Sequence, residues 1–174
     1  MAAVTIRRVA GNSDAPRDGL CALLVDCVDN GASVGFLAPL GHGTALKYWT
    51  KVIRALDDGL LLWIAEEGGE LVGSVQVDPC MKENGLHRGE LQKLLVLKSR
   101  RGRGIAKRLL DTAEAYASAQ GRRLLVLDTQ SGSVAETVYR RLGWSRGGEI
   151  PDYAVTPSGE LHPTTYYFKR ITGA

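Results

Sequence analysis

The sequence predicts a mixed α/β fold, of the α+β kind, with a mostly antiparallel central sheet that contains one βαβ unit. Three observations carry that prediction. Short apolar runs of strand length alternate with segments whose apolar residues recur at one-turn spacing. Glu67-Gly68-Gly69-Glu70 joins two such runs as a hairpin turn would. A strand, a basic glycine turn, a helix and a further strand then follow one another directly between Glu90 and Thr129.

Val4-Thr5-Ile6 reads as an opening strand. Over residues 16–30, Leu20, Leu23, Leu24, Cys27 and Val28 share one helical stripe that ends near Gly31. An apolar loop broken by Gly31 and Gly35 leads to a second helix over 44–57, with Tyr48, Val52 and Leu56 one turn apart and Gly59 as its stop. Residues 60–65 and 71–77 form the two hairpin strands, and Asp78-Pro79 and Asn84-Gly85 mark a loop. A fourth strand covers 90–97. Beyond the basic turn a helix extends to Gln120, with Ile105, Leu109, Ala113 and Tyr116 on one face. A fifth strand over 123–129 precedes a short helix from about Ser133 to Leu142. The rest reads as a strand around Trp144, a turn-rich stretch with Pro151, Pro157 and Gly159, and a last strand near 165–169.

The 174 residues suit a single domain spanning 1–174 and are enough to bury a core. With 44% hydrophobic and 24% charged residues, the chain is neither disordered nor collagen-like. Its longest apolar run, over 60–65, falls far short of the roughly 20 residues a bilayer span needs. Arg7 and Arg8 have no apolar stretch behind them, so no signal peptide and no membrane partner are expected. Cys21, Cys27 and Cys80 are odd in number and form no C-x-x-C pair, which points to a reduced, cytoplasmic setting. His42, His87 and His162 lack ligand spacing, so no metal is expected. A monomer or a homodimer is expected.

The net charge of +3 is unevenly spread. Residues 98–108 hold six cations: Lys98, Arg100, Arg101, Arg103, Lys107 and Arg108. Gly102 and Gly104 let backbone N–H groups approach an anion, and the turn opens a helix whose first amides and dipole favour negative charge. A phosphate or pyrophosphate suits such a turn. The segment matches neither a P-loop nor a dinucleotide fingerprint. A nucleic-acid-binding arginine run is the rival reading, weakened by the absence of interleaved aromatic residues.

Arg101-Gly102-Arg103-Gly104-Ile105-Ala106 resembles the acyl-CoA pyrophosphate loop, [QR]-x-x-G-x-[GA], of the GNAT N-acetyltransferase superfamily. Leu94-Leu95-Val96 resembles the strand before that loop, with Lys98 standing where proline is common. Tyr139-Arg140-Arg141-Leu142-Gly143-Trp144 is similar to the superfamily segment Y-x-x-x-G-[FWY]. A narrower resemblance, to tabtoxin-resistance acetyltransferases, runs through the segments from Gly31 to Phe36, Gln92-Lys93-Leu94, Leu127-Asp128-Thr129, the stretch from Gly132 to Glu136, and Leu161-His162-Pro163-Thr164.

The resemblance implies the acyl-CoA N-acyltransferase fold, acetyl-CoA as co-substrate, and a small amino-acid-like amine, such as the toxin tabtoxin, as acceptor. Protein N-termini or lysines are the alternative acceptors, and a non-catalytic acyl-CoA sensor is a further alternative. The resemblance places the pyrophosphate on Gly102, Gly104, Ile105, Ala106 and Lys107, with Arg100, Arg101 and Arg103 as outer contacts. Leu94, Leu95 and Val96 would exchange backbone hydrogen bonds with the pantetheine arm, and Tyr139 would protonate the leaving thiolate. Ser133 stands near where an asparagine often contacts pantetheine; it would either replace that contact or cap the next helix. Glu90 and Asp128, carboxylates on the strands flanking the cleft, are the base candidates. The alternatives are an edge salt bridge for Glu90 and a helix cap or turn contact for Asp128. Strand alternation would put Glu90 and Gln92 on one face with Leu94 and Val96 unless a bulge intervenes.

Overall fold

The computed structural model describes residues 3–171. Its elements are β1 (Val4–Arg8), α1 (Arg17–Asp29), α2 (His42–Ala55), β2 (Leu61–Glu67), β3 (Glu70–Pro79), β4 (Arg88–Val96), α3 (Ile105–Ala119), β5 (Leu124–Gln130), α4 (Val134–Arg141), β6 (Ser145–Val155) and β7 (Leu161–Arg170). The strands form one sheet in the order β1-β2-β3-β4-β5-β7-β6. Every neighbouring pair is antiparallel except β4 and β5, the two strands joined through α3. The predicted mixed sheet with one βαβ unit is therefore the observed one.

Two apolar clusters sandwich the sheet. Leu20, Leu23 and Leu24 of α1 and Trp49 of α2 pack with Leu62, Ile64 and Leu95 on one face. On the other, Ile105, Leu109 and Ala113 of α3 pack with Val75, Val77, Leu91, Leu125 and Leu127. The one-turn stripes on α1 and α3 are thus core stripes, as their spacing requires.

The final third differs from expectation. In place of a turn-rich stretch, β6 and β7 form a long hairpin at the sheet edge, with Pro151 inside β6. The register breaks between Ile150 and Ala154, so this proline, which cannot donate to a ladder, lies where no ladder bond is demanded of it.

A second difference lies in β4. Gln76 of β3 faces Gln92, but Ser74, two residues on, faces Leu95 three residues on. The extra residue makes a β-bulge, and Lys93 within it has a φ of 49°. Alternation therefore fails across the bulge: Leu91 lies in the α3-side cluster and Leu95 in the α1–α2 cluster. Leu94 and Val96 pack toward α3, so they do not share a face with Glu90 and Gln92.

Gly73 seats α3 against this irregular strand. A Cβ there would lie 2.9 Å from the Leu95 carbonyl oxygen and 3.1 Å from Leu109 Cδ1. Gly73→Ala is therefore expected to destabilise the fold by about 1–3 kcal/mol, the usual cost of overpacking. Thermal or urea denaturation reads this directly, and an unchanged midpoint would contradict so tight a seat.

Candidate active site

β4 and β5 pair in register only from Arg88–Leu124 to Glu90–Val126, although β4 continues to Val96 and β5 to Gln130. A bulge bends its strand and raises the local twist, and here the strands part just before it. The β5-facing edge of β4 from Leu91 to Val96 thus has no strand partner, which leaves its backbone groups available to a ligand, apart from the Val96 carbonyl, which accepts from Arg101 Nε and Cys27 Sγ, and the Lys93 carbonyl, which accepts from the Ser74 hydroxyl. Leu94, Leu95 and Val96 lie on this stretch.

The glycine turn follows. Gly102 (φ 75°) and Gly104 (φ 77°) adopt the left-handed conformation that side chains resist. Gly104 precedes α3 without any side-chain cap, so the helix begins with open donors. Among the described residues the amides of Gly102, Gly104, Ile105, Ala106 and Lys107 meet no protein acceptor.

The cations of the turn behave differently from their amides. Arg103 pairs with Glu67 at 2.6 Å, and Arg100 pairs with Glu67 at 3.2 Å and Glu70 at 2.9 Å. Arg101 Nε donates to the Val96 carbonyl at 3.1 Å. Lys98 Nζ donates to Asn30, Lys107 pairs with Asp111, and Arg108 donates to the Val4 carbonyl. The outer phosphate contacts expected of Arg100, Arg101 and Arg103 thus meet side chains already engaged. Arg100, Arg101, Arg103 and Arg108 tie the turn and the start of α3 to the sheet, Lys98 reaches the end of α1, Lys107 stays within α3, and the free donors are backbone. Glu67, with an 8% exposed side chain, is the anchor that composition and motif did not reveal.

α4 supplies Tyr139, which is 7% exposed and lies in the α3-side cluster with Leu127 of β5. Gly143 (φ 83°) turns the chain after α4 and brings Trp144 edge-on to the Tyr139 ring at 5.8 Å between centroids. That packing is why the segment needs an aromatic, a glycine and a second aromatic at this spacing. Burial raises the Tyr139 pKa well above the usual tyrosine value, and the charge of Asp128 raises it further. Its hydroxyl makes no hydrogen bond to any described residue. Ser133 caps α4 by accepting the Glu136 amide at 3.2 Å, and Glu136 in turn accepts from the Gly132 amide and the Tyr167 hydroxyl. Of the two roles open to Ser133, the structure fills the cap.

Glu90 and Asp128 lie on one face of the sheet. Glu90 is in register with Val126, and Asp128 stands two residues further along β5. Glu90 accepts from Gln92 at 3.0 Å, and Asp128 accepts from Thr164 at 2.9 Å. Neither has an ion pair among the described residues, so the edge salt bridge considered for Glu90 is not formed. A groove lined by Asp78, Cys80, Met81, Arg88, Glu90 and Val126 opens beside them.

Tyr166, Tyr153 and Lys93 join this face; neither tyrosine belongs to a motif, and Lys93 figured only within the segment Gln92-Lys93-Leu94. Tyr166 of β7 is in register with Asp128. Its hydrogen bond with Tyr153 (3.0 Å), with burial and the charges of Tyr153, Asp128 and Glu90, pushes its pKa up to about 12. The Lys93 ammonium lies over the Tyr48 ring, 5.5 Å from its centroid. Burial lowers the Lys93 pKa, while Asp128 and Glu90 pull it back up.

A strand that leaves its parallel partner, unclaimed amides in a glycine turn, and a buried phenol follow one another between Arg88 and Trp144. The profile described as the Acetyltransferase (GNAT) family matches residues 39–144, a span that holds all three. The chain belongs to that family. Over 92 residues it is 41% identical to N-acetyltransferase 8 of Mus musculus, covering 50% of this chain and 39% of that protein. It is also 38% identical over 96 residues to N-acetyltransferase 8F1 of the same species, covering 52% and 42%. The match thus spans about two fifths of the length of these curated relatives. Among solved structures, N-acetyltransferase from Staphylococcus aureus Mu50 superposes with a TM-score of 0.79 at 18% identity, covering 98% of this chain and 100% of that one. The yncA protein of Salmonella typhimurium, solved with its cofactor acetyl-CoA, gives 0.75 at 18% identity, covering 99% and 96%. These likenesses show the GNAT acetyltransferase fold. The curated relatives carry the name N-acetyltransferase 8 and not the narrower tabtoxin-resistance name.

Among the described residues no group of three or more His, Cys, Asp and Glu is placed to hold a metal ion, and no helix is long and apolar enough to cross a membrane. Cys21, Cys27 and Cys80 are free thiols.

The Glu67 anchor has a measurable pH signature. Hydrogen bonds from Arg103, reinforced by the charges of Arg103 and Arg100, outweigh burial and hold the Glu67 carboxyl below the usual range. A depressed folded-state pKa stabilises the protein above the unfolded value, about 4.3 for Glu, and that stability drains as pH falls through the folded value. Glu67→Gln is expected to be less stable than the wild type at neutral pH, with the difference shrinking below about pH 4. Urea denaturation across a pH series checks this, and a difference that persists undiminished in acid would contradict it.

Proposed function

We propose that the chain transfers an acetyl group from acetyl-CoA to the primary amine of a small amino-acid-like molecule, by direct attack within a ternary complex. The observation that carries the reading is the coincidence of the β4–β5 parting with the uncapped glycine turn. The parting frees strand edge for an extended amide-bearing arm, and the turn frees amides for a compact polyphosphate. Because the cations of the turn are engaged, its free donors suit a pyrophosphate better than a long polyanion.

In this reading the amides of Gly102, Gly104, Ile105, Ala106 and Lys107 donate to pyrophosphate oxygens. The Leu94–Val96 edge aligns the pantetheine arm, and one of its N–H groups donates to the thioester oxygen as negative charge develops. Glu90 or Asp128 takes the proton of the acceptor ammonium, directly or through a water. The neutral amine attacks the thioester carbon, the C–N bond forms, and the C–S bond breaks. Tyr139 gives its proton to the departing sulfur. The raised pKa of Tyr139 keeps that proton in place at neutral pH, and its hydroxyl has no competing acceptor among the described residues. The acceptor class rests on the resemblance to tabtoxin-resistance acetyltransferases. A tabtoxin-like toxin is one member of it. The cytoplasmic setting read from the cysteines belongs to the same proposal.

Incubation of the protein with acetyl-CoA and a panel of amino acids and amines, read by thiol release, tests the function. Acetyl-dependent thiol release with at least one amine is expected. Tyr139→Phe is expected to lower kcat by about 100-fold or more, the usual size of a general-acid contribution, with acetyl-CoA affinity unchanged. Turnover at the wild-type rate would remove Tyr139 from the acid role. Absence of acetyl-CoA binding in calorimetry would overturn the proposal as a whole.

A further inference from the structure

We propose that Lys93 binds a carboxylate of the acceptor, so that the preferred substrates carry an acid group near the amine that is acetylated. This deepens the acetyl-transfer reading and rests on it. Lys93 occupies the bulge of β4, at the point where the strand has left β5. Its ammonium forms no hydrogen bond and no ion pair with any described residue, although the residue is half-buried. The ammonium lies over the ring face of Tyr48, and such a contact leaves all three N–H donors of an ammonium open. Its basic neighbours in the chain differ: Lys98 reaches Asn30 and Arg101 reaches the Val96 carbonyl.

The wall behind Lys93 is fixed. The Tyr48 hydroxyl accepts from Gln76 Nε2 at 3.0 Å, and its ring stacks edge-on against Phe36 (5.3 Å) and Trp49 (5.1 Å). Lys93 itself is held at a φ of 49°, a conformation costly for a side-chain-bearing residue, and such strain gathers at functional positions. Glu90 and Asp128 act on Lys93 through space without pairing with it. The face therefore presents two carboxylates that suit an ammonium and one unpaired ammonium that suits a carboxylate. A zwitterionic amino acid complements both ends, whereas a simple amine complements only the acidic one. An incoming carboxylate would also offset the burial that disfavours the charged form of Lys93.

The test compares matched acceptors: lysine with lysinamide and cadaverine, and ornithine with ornithinamide and putrescine. Calorimetry first establishes acetyl-CoA binding to the wild type and variants. Steady-state thiol release is then measured for each acceptor. The wild type is expected to show kcat/KM at least tenfold higher for an acid than for its carboxamide or diamine. Lys93→Met, which keeps a side chain at the same backbone conformation, should abolish that preference by raising KM for the acids and leave the amides unaffected. Lys93→Arg should retain it. Equal use of acids and amides by the wild type, survival of the preference in Lys93→Met, or transfer to no acid in the set overturns the Lys93 assignment alone. Failure to bind acetyl-CoA overturns the acetyl-transfer reading beneath it.

Discussion

One additional residue in β4 governs the geometry on both sides of the sheet. The register between β3 and β4 accommodates it at Lys93, and three consequences meet there. The strand no longer follows β5, so a length of edge stays unpaired in the middle of a sheet, where edges are normally closed. The faces of Leu94 to Val96 exchange, so Leu95 enters the α1–α2 cluster while Leu94 and Val96 stay with α3. Lys93 is turned toward Tyr48 and the carboxylate face. A regular β4 could continue beside β5 and bury that edge.

Charge is arranged around that opening with a division of labour. Glu67 and Glu70 neutralise Arg100 and Arg103, so the side chains of the turn brace it, and in the proposed function its backbone amides take the anion. Backbone amides held by left-handed glycines cost little reorganisation when a ligand arrives, whereas long arginine side chains would each have to be ordered. The proposed acceptor side follows another pattern: Glu90, Asp128 and Lys93 lack local ion pairs among the described residues, which leaves both signs of charge available on one face.

The elements were legible in the sequence because their causes are local. One-turn apolar stripes gave α1, α2 and α3, and the Gly68-Gly69 pair gave the β2–β3 hairpin, all within a few residues of the observed ends. The glycine turn and the Tyr139–Trp144 segment were legible because their backbone demands fall on glycines at fixed spacing. The bulge was not, since no glycine marks it and the apolar run from Leu94 to Leu97 hides the change of face. The adjacent polar pair Gln92-Lys93 and the apolar run after it break the alternation without marking where the extra residue sits. The Glu67 anchor joins residues 36 positions apart and left no pattern to read. In the last third, Pro151 read as a turn because proline is usually excluded from strands, while an edge strand with an irregular register accepts it.

In the proposed function, the unpaired β4 edge and the glycine-turn amides form one continuous binding surface for acetyl-CoA. Amide chemical shifts of isotope-labelled protein titrated with acetyl-CoA test it most directly. The largest changes should fall on Leu94, Leu95 and Val96 together with Gly102, Gly104, Ile105, Ala106 and Lys107. Saturable binding that perturbs the turn but leaves the β4 edge unmoved, or that perturbs neither, would contradict it.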